Sequence, residues 1–213
     1  MQWMQDLTND IRIHQYNNHY DNEDNILPFL GFTVKDSSIE FTACNRASLQ
    51  QAIDQCRLNG IEPKTFLEIG VCRLVNNTYD TSSTGTIIKN VPSGGIYLGV
   101  DLDDKTFIDN PEKGIYTLRE NSSNYDAVVK RLNELGVTGL DFIMIDGWHS
   151  INQVYKDWEF SKLLNPGGVI GWHDTTAHPG PALFIRHLNK DKWVVFENLC
   201  PDDYGFGYCY RKV

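Results

Sequence analysis

The stretch Leu140 to Thr175, LDFIMIDGWHSINQVYKDWEFSKLLNPGGVIGWHDT, reads as strand, helix, strand. LDFIMI is a short apolar run without alternation, as expected for a strand covered on both faces, and it stops at Asp146-Gly147. Ser150 with Gln153 three residues on forms a capping-box pattern. Ile151, Val154, Tyr155, Trp158 and the pair Leu163-Leu164 then recur at helical spacing, so one helix is expected to run to Leu164. Pro166-Gly167-Gly168 is read as the turn that ends it, and the second run, VIGW, closes on His173-Asp174. Two strands joined by a helical crossover are parallel, so both polar ends point to the carboxyl edge, where open α/β sheets bind ligands.

Working outward, a chain of 213 residues can bury a full core, and 41% hydrophobic with 22% charged residues is ordinary for a globular protein. A net charge of -9 argues against a broad phosphate-binding face, so no nucleic-acid partner is expected and a small molecule is the better default. The five cysteines are scattered, with no zinc-ligand spacing, which suggests reduced thiols in a cytoplasmic protein. The N-terminus lacks the order of a signal peptide and no run has the length of a membrane span, so no membrane partner is expected either.

Residues 1–45 form the least patterned part, and we read them as an arm or lid before a main domain spanning 46–213. The cluster His14, His19, Asp21, Glu23 and Asp24 has irregular spacing, which favours a solvated loop over a metal site. Ala47 to Leu58 describes an amphipathic helix stopped at Gly60. TFLEIG (65–70), IYLGVD (96–101) and GIYTL (114–118) read as strands, with a short helical segment around Gly85 to Asn90 and a helix from Asn124 to Leu135. After Asp174 come a helix, Ala182 to Leu188, and a closing β pair, WVVF (193–196) and FGYCYRKV (206–213). This alternation predicts an α/β, doubly wound sheet with parallel central strands.

Four polar strand ends then line one edge: Glu68-Gly70, Asp101, Asp146 and His173-Asp174. Gly70 permits a tight turn, and Asp101, about 30 residues on, suits a grip on ribose hydroxyls, unless it merely caps the next helix. A dinucleotide site wants GxGxxG to cradle a pyrophosphate, whereas this chain has GVCRLV, which disfavours NAD and leaves a nucleoside cofactor without phosphates. Neighbouring strands lie about 4.8 Å apart, so Asp146 and Asp174 could reach one divalent ion. The alternative is that Asp146 bonds cofactor or backbone and no metal binds.

FLEIGV, YLGVDLD, DFIMIDGWHS and LLNPGGVIGWHD resemble the motifs of class I S-adenosylmethionine-dependent methyltransferases, within them the small metal-dependent O-methyltransferase-like group related to macrolide and cephalosporin-pathway enzymes. The resemblance spans roughly Pro63 to Val213. It implies a mostly parallel seven-stranded sheet with an antiparallel terminal strand pair. It also implies that Glu68 and Gly70 border S-adenosylmethionine, that Asp101 holds its ribose, and that Asn121 and Ser122 lie near its adenine, with Asp146 also beside the cofactor. One departure is the expanded stretch CRLVNNTYDTSSTG after Gly70, where Ser83-Thr84 stand for the family's Ser-Thr and Arg73 is a candidate for the methionine carboxylate, although a solvated loop arginine fits as well. Another is His173, which stands where related metal-dependent enzymes carry an acid; the implied metal set is Asp146, His173 and Asp174, with Mg²⁺ or Mn²⁺ as the ion.

His149, just past Asp146-Gly147, is the candidate catalytic base, being a side chain that titrates near neutral pH, although a structural loop histidine fits as well. His178 reads as a turn residue, and Trp148 and Trp172 as core or pocket wall. The expected activity is methyl transfer from S-adenosylmethionine to a hydroxyl oxygen of a small molecule, in a chain able to form a homo-oligomer. The alternatives are a metal-dependent hydrolase using the Asp/His cluster and a noncatalytic nucleoside-binding module.

Overall fold

The computed structural model describes residues 41–72 and 79–212. The chain order is α1 (Ala43–Leu58), β1 (Thr65–Ile69), α2 (Ser83–Asn90), β2 (Ile96–Asp101), β3 (Ile115–Arg119), α3 (Tyr125–Glu134), β4 (Leu140–Ile145), α4 (Ile151–Asp157), β5 (Leu164–His173), α5 (Pro179–Arg186), β6 (Trp193–Leu199) and β7 (Phe206–Arg211). The seven strands make one sheet in the order β3-β2-β1-β4-β5-β7-β6. From β3 to β5 all pairings are parallel, and β7 runs antiparallel to both of its neighbours. The order reverses between β1 and β4, which opens a crevice at their carboxyl ends.

Strand alternation divides the core into two layers. Leu67, Ile69, Leu98, Val100, Ile143 and Ile145 pack against α3, α4 and α5 through Val128, Leu132, Val154 and Phe184. Phe66, Tyr97, Phe142 and Met144 face α1 and α2 through Leu49, Ile53, Cys56 and Ile87. Both sheet faces are therefore covered, which is why the strands read as continuous apolar runs rather than alternating ones. Side-chain caps fix the helix starts: the Thr42 hydroxyl accepts from Asn45 N, Ser82 from Gly85 N and Ser150 from Gln153 N, each bond typically contributing about 1 kcal/mol.

Several local expectations change. The crossover helix is α-helical only from Ile151 to Asp157 and continues as a 3-10 helix from Trp158 to Leu163. Trp158 and Phe160 are both fully buried. Two residues apart, they would lie about 160° apart around an α-helix but about 120° apart in the tighter winding, so the 3-10 turn brings both rings inward. Pro166-Gly167-Gly168 does not end a helix; it lies within β5, where pairing to β4 slips between Leu140/Leu164 and Phe142/Val169.

The cysteines also depart from the all-thiol expectation. Cys44 and Cys200 form a disulfide across 156 positions, joining the first turn of α1 to the segment after β6. Such a pairing leaves no spacing signal, because only the tertiary fold brings the partners together. Cys56, Cys72 and Cys209 are buried thiols, and burial first of all pushes Cys56 up to about 12. Residues 41–45, assigned to the arm, belong to the body: Phe41 is buried and α1 starts at Ala43. The rest of that arm and the His14 to Asp24 cluster lie outside the described residues. Among the described residues no helix is long and apolar enough to cross a membrane.

Candidate active site

The carboxyl ends of β1, β2 and β4 enclose a cavity of about 580 Å³, a volume suited to a nucleoside-sized ligand. Its floor depends on Gly70, which has φ +82 and on which a Cβ would lie 2.0 Å from the Asp146 carbonyl oxygen. Only glycine lets β1 turn there while Gly70 N donates to Val100 O at 3.0 Å and Asp146 N donates to Ile69 O at 2.8 Å. Asp101 is fixed by the same backbone: its Oδ2 accepts from Val71 N at 2.9 Å and its Oδ1 from Asp103 N at 2.8 Å. Each carboxylate oxygen keeps further acceptor capacity for a hydroxyl. Lys105 lies beneath, its Nζ donating to Cys72 O at 2.9 Å and standing 3.8 Å from Asp101 Oδ2.

Asn121 and Ser122 line the far side of this cavity together with Gln153 and the exposed ring of Trp148. Gln153 reaches away from its own helix start: its Nε2 donates to Ser122 Oγ and to Asp157 Oδ1, both at 2.9 Å, and its Oε1 accepts from Ser123 Oγ at 2.9 Å. Burial raises the Asp157 carboxyl to about 7, against the opposing bonds from Ser122 and Gln153.

Asp146, on the cavity wall, also belongs to a His/Asp cluster. Register sets it: Ile145 pairs with Trp172, so the next positions, Asp146 and His173, fall side by side. His173 Nδ1 lies 3.2 Å from Asp146 Oδ1 and 3.2 Å from Asp174 Oδ2, while His149 Nε2 lies 2.8 Å from Asp174 Oδ2. Burial by itself pushes the His173 imidazole down, but Asp174 and Asp146 together outweigh it and hold the ring well above its ordinary value. For Asp174, burial is likewise the largest single influence and upward, yet His173 and His149 combine to hold it well below the usual carboxylate range. Phe41 and Tyr204 pack on His173, with ring centroids at 4.9 and 5.7 Å. The ligand atoms of Asp146, His173 and Asp174 all lie within 4.8 Å of one another, a spacing compatible with a shared divalent ion.

Gly70, Asp101, Asn121, Ser122 and Asp146 thus converge on one cavity. Glu68 does not line it among the described residues. Strand alternation turns Glu68 to the α1/α2 face, where it has no exposed surface and accepts a hydrogen bond from the Tyr97 hydroxyl. Ser83 and Thr84 also pack there, and Thr84 Oγ1 accepts from Cys72 N at 3.0 Å, tying the start of α2 to the end of β1. Trp172 is core, stacked on Trp158 at 5.5 Å. Arg73 lies outside the described residues. Sequence reasoning missed Lys105, Gln153, Asp157 and Tyr97. The i,i+4 pairs Gln153/Asp157 and Asp101/Lys105 were the local signals, while Tyr97 meets Glu68 only across neighbouring strands.

No sequence-family model matches the chain, and no curated protein matches it. Solved structures do. CalS11, a TDP-rhamnose 3'-O-methyltransferase of calicheamicin biosynthesis, aligns with TM-score 0.54 at 14% identity over 97% of this chain and 92% of its own. The MycE methyltransferase of the mycinamycin pathway, in complex with Mg, SAH and mycinamycin VI, aligns with TM-score 0.54 at 15% identity over 78% of this chain. The chain has the class I methyltransferase fold. An rRNA methylase from Streptococcus thermophilus shares that fold, with TM-score 0.51 at 7% identity over 76% of this chain and 94% of its own. The chain matches between 32% and 49% of the length of the first MycE structures. At these identities the likeness defines the methyltransferase fold, and the chemistry must be argued from the site.

Proposed function

We propose that the chain transfers a methyl group from S-adenosylmethionine to a hydroxyl oxygen of a small molecule. The observation that carries this is one crevice at the β1/β4 reversal lined by Asp101 and Asp146, with Asp146 meeting His173 at 3.2 Å beside the His149/Asp174 pair. The crevice fits a nucleoside cofactor: backbone donors already orient Asp101, and no glycine-rich phosphate cradle follows β1.

Bound there, the cofactor supplies an activated methyl on a sulfonium. Asp101 then holds the ribose, Asn121 and Ser122 contact the base, and Gly70 lets the backbone approach closely. Asp174 holds His149 in place, its Oδ2 2.8 Å from Nε2, and His149 is the group that takes up the acceptor's hydroxyl proton. Asp146, His173 and Asp174 are the residues that would hold Mg²⁺ or Mn²⁺, which would lower the pKa of the acceptor hydroxyl. What remains for the protein is alignment of acceptor oxygen and methyl carbon and exclusion of water. The aligned neighbours include a TDP-rhamnose 3'-O-methyltransferase and a mycinamycin-pathway methyltransferase, and this supports a polyhydroxylated acceptor.

Thermal unfolding with S-adenosylhomocysteine, S-adenosylmethionine or NAD, each with and without Mg²⁺ or Mn²⁺, tests this. The adenosyl ligands should raise the melting temperature, corresponding to about 2.7 kcal/mol at 100 times Kd. Asp101→Ala should abolish that shift, and a screen of hydroxylated acceptors should yield methylated product. If adenosyl ligands have no effect and metal alone supports hydrolysis, the Asp/His cluster belongs to a hydrolase. If they bind and no acceptor is methylated, the chain is a binding module.

A further inference from the structure

Beside the Asp146/His173/Asp174 set stands a second constellation: His149, Asp174 and His178, whose ligand atoms also lie within 4.8 Å of one another. The His149 and His178 rings lie 4.1 Å apart at 32°, and His149 Nε2 is 2.8 Å from Asp174 Oδ2. We propose that these three side chains form a binding site for a late first-row divalent cation of the Zn²⁺ type.

The cluster is held in place by backbone. His178 N donates to Asp174 O at 3.0 Å, which closes the turn that carries both residues. Thr176 N and Ala177 N both donate to Tyr204 O, at 2.9 and 3.1 Å, and clamp that turn to the β6/β7 connection. Asp174 itself has φ 60, a left-handed conformation uncommon outside glycine. At the start of α5 a Cβ on Gly180 would lie 1.9 Å from the His149 carbonyl oxygen, so the helix sits directly on the backbone of His149. Two imidazoles from separate segments are thereby fixed against one carboxylate before any ligand arrives.

The donor set selects the ion. Two imidazoles and one carboxylate suit Zn²⁺ and its neighbours, whereas the two carboxylates of the adjoining set suit Mg²⁺ or Mn²⁺. Three protein ligands leave the fourth position of a tetrahedral ion to water. Occupancy would withdraw His149 from proton transfer and so inhibit; that consequence rests on the methyl-transfer reading, while the binding site does not.

The full chain, stripped with a chelator, should be titrated with Co²⁺ followed by visible absorption and with Zn²⁺ followed by calorimetry. One ion should bind, without the sulfur charge-transfer band of a cysteine site. His149→Gln and His178→Gln should each weaken binding at least about 10-fold. Asp146→Asn, outside the proposed set, should weaken it less than either. An absence of binding, or a larger loss in Asp146→Asn than in His178→Gln, overturns the proposal. Should a histidine variant fail to fold, histidine modification of the wild-type chain decides: Zn²⁺ must protect both His149 and His178 from diethylpyrocarbonate, and an unprotected His178 overturns the site.

Discussion

Glu68 has no exposed surface, and its carboxylate faces the Tyr97 hydroxyl with Ser83 and Thr84 close by. Burial raises its pKa from 4.5 to about 7, partly offset by those hydroxyls. An acid raised in this way binds more protons folded than unfolded. Its contribution is therefore fully present below pH 4.5, declines as pH rises toward 7, and leaves a penalty of up to ~3 kcal/mol above that. Glu68→Gln keeps an acceptor for Tyr97 and should flatten the stability slope between those pH values. Denaturant melts at pH 5 and pH 8 measure this, and an unchanged slope would mean that Glu68 titrates normally. The acid before Gly70 was legible as a polar strand end, but the face it occupies was not. That face follows from which neighbours cover each side of β1.

At the level of elements, the β1/β4 junction sets the cavity. Gly70→Ala would place a Cβ against the Asp146 carbonyl at φ +82, straining a turn that two strands share. A loss of roughly 3 kcal/mol is expected, together with loss of the melting shift from adenosyl ligands. A variant that keeps both wild-type stability and the ligand shift would contradict a close approach at this point. The strands themselves were readable: LDFIMI and IYLGVD are β4 and β2 without adjustment. The crossover was less so. Periodicity could not show that two neighbouring aromatics, Trp158 and Phe160, both needed to face inward, and it is this that converts the helix end to tighter winding.

Across the whole molecule, the Cys44/Cys200 bridge ties α1 to the β6/β7 connection, and the Thr42 hydroxyl bonds Asp203 in the same region. Phe41 and Tyr204, from these two segments, pack on His173, so the bridge braces the back of the His/Asp cluster. Closing a loop of 156 positions constrains the unfolded chain strongly. Reduction, or Cys44→Ser with Cys200→Ser, should cost about 2–5 kcal/mol. Calorimetric melting with and without reductant measures it, and identical melting temperatures would show that the bridge contributes nothing. The expectation of thiols throughout came from scattered spacing, which carries no information about pairs that meet only after folding.

What the sequence determined by itself was the alternation of elements, the parallel core and the identity of the polar strand ends, because periodicity, caps and glycine stops are local properties of the chain. The strand-helix-strand of residues 140–175 therefore already aimed Asp146 and His173-Asp174 at one edge. Tertiary structure alone decided which of those ends share a cavity, that Glu68 turns away from it, that Gln153 and Lys105 support it, and that His178 comes to lie 4.1 Å from His149. These depend on strand order, register and close approaches between residues far apart in the chain, and no local pattern encodes them.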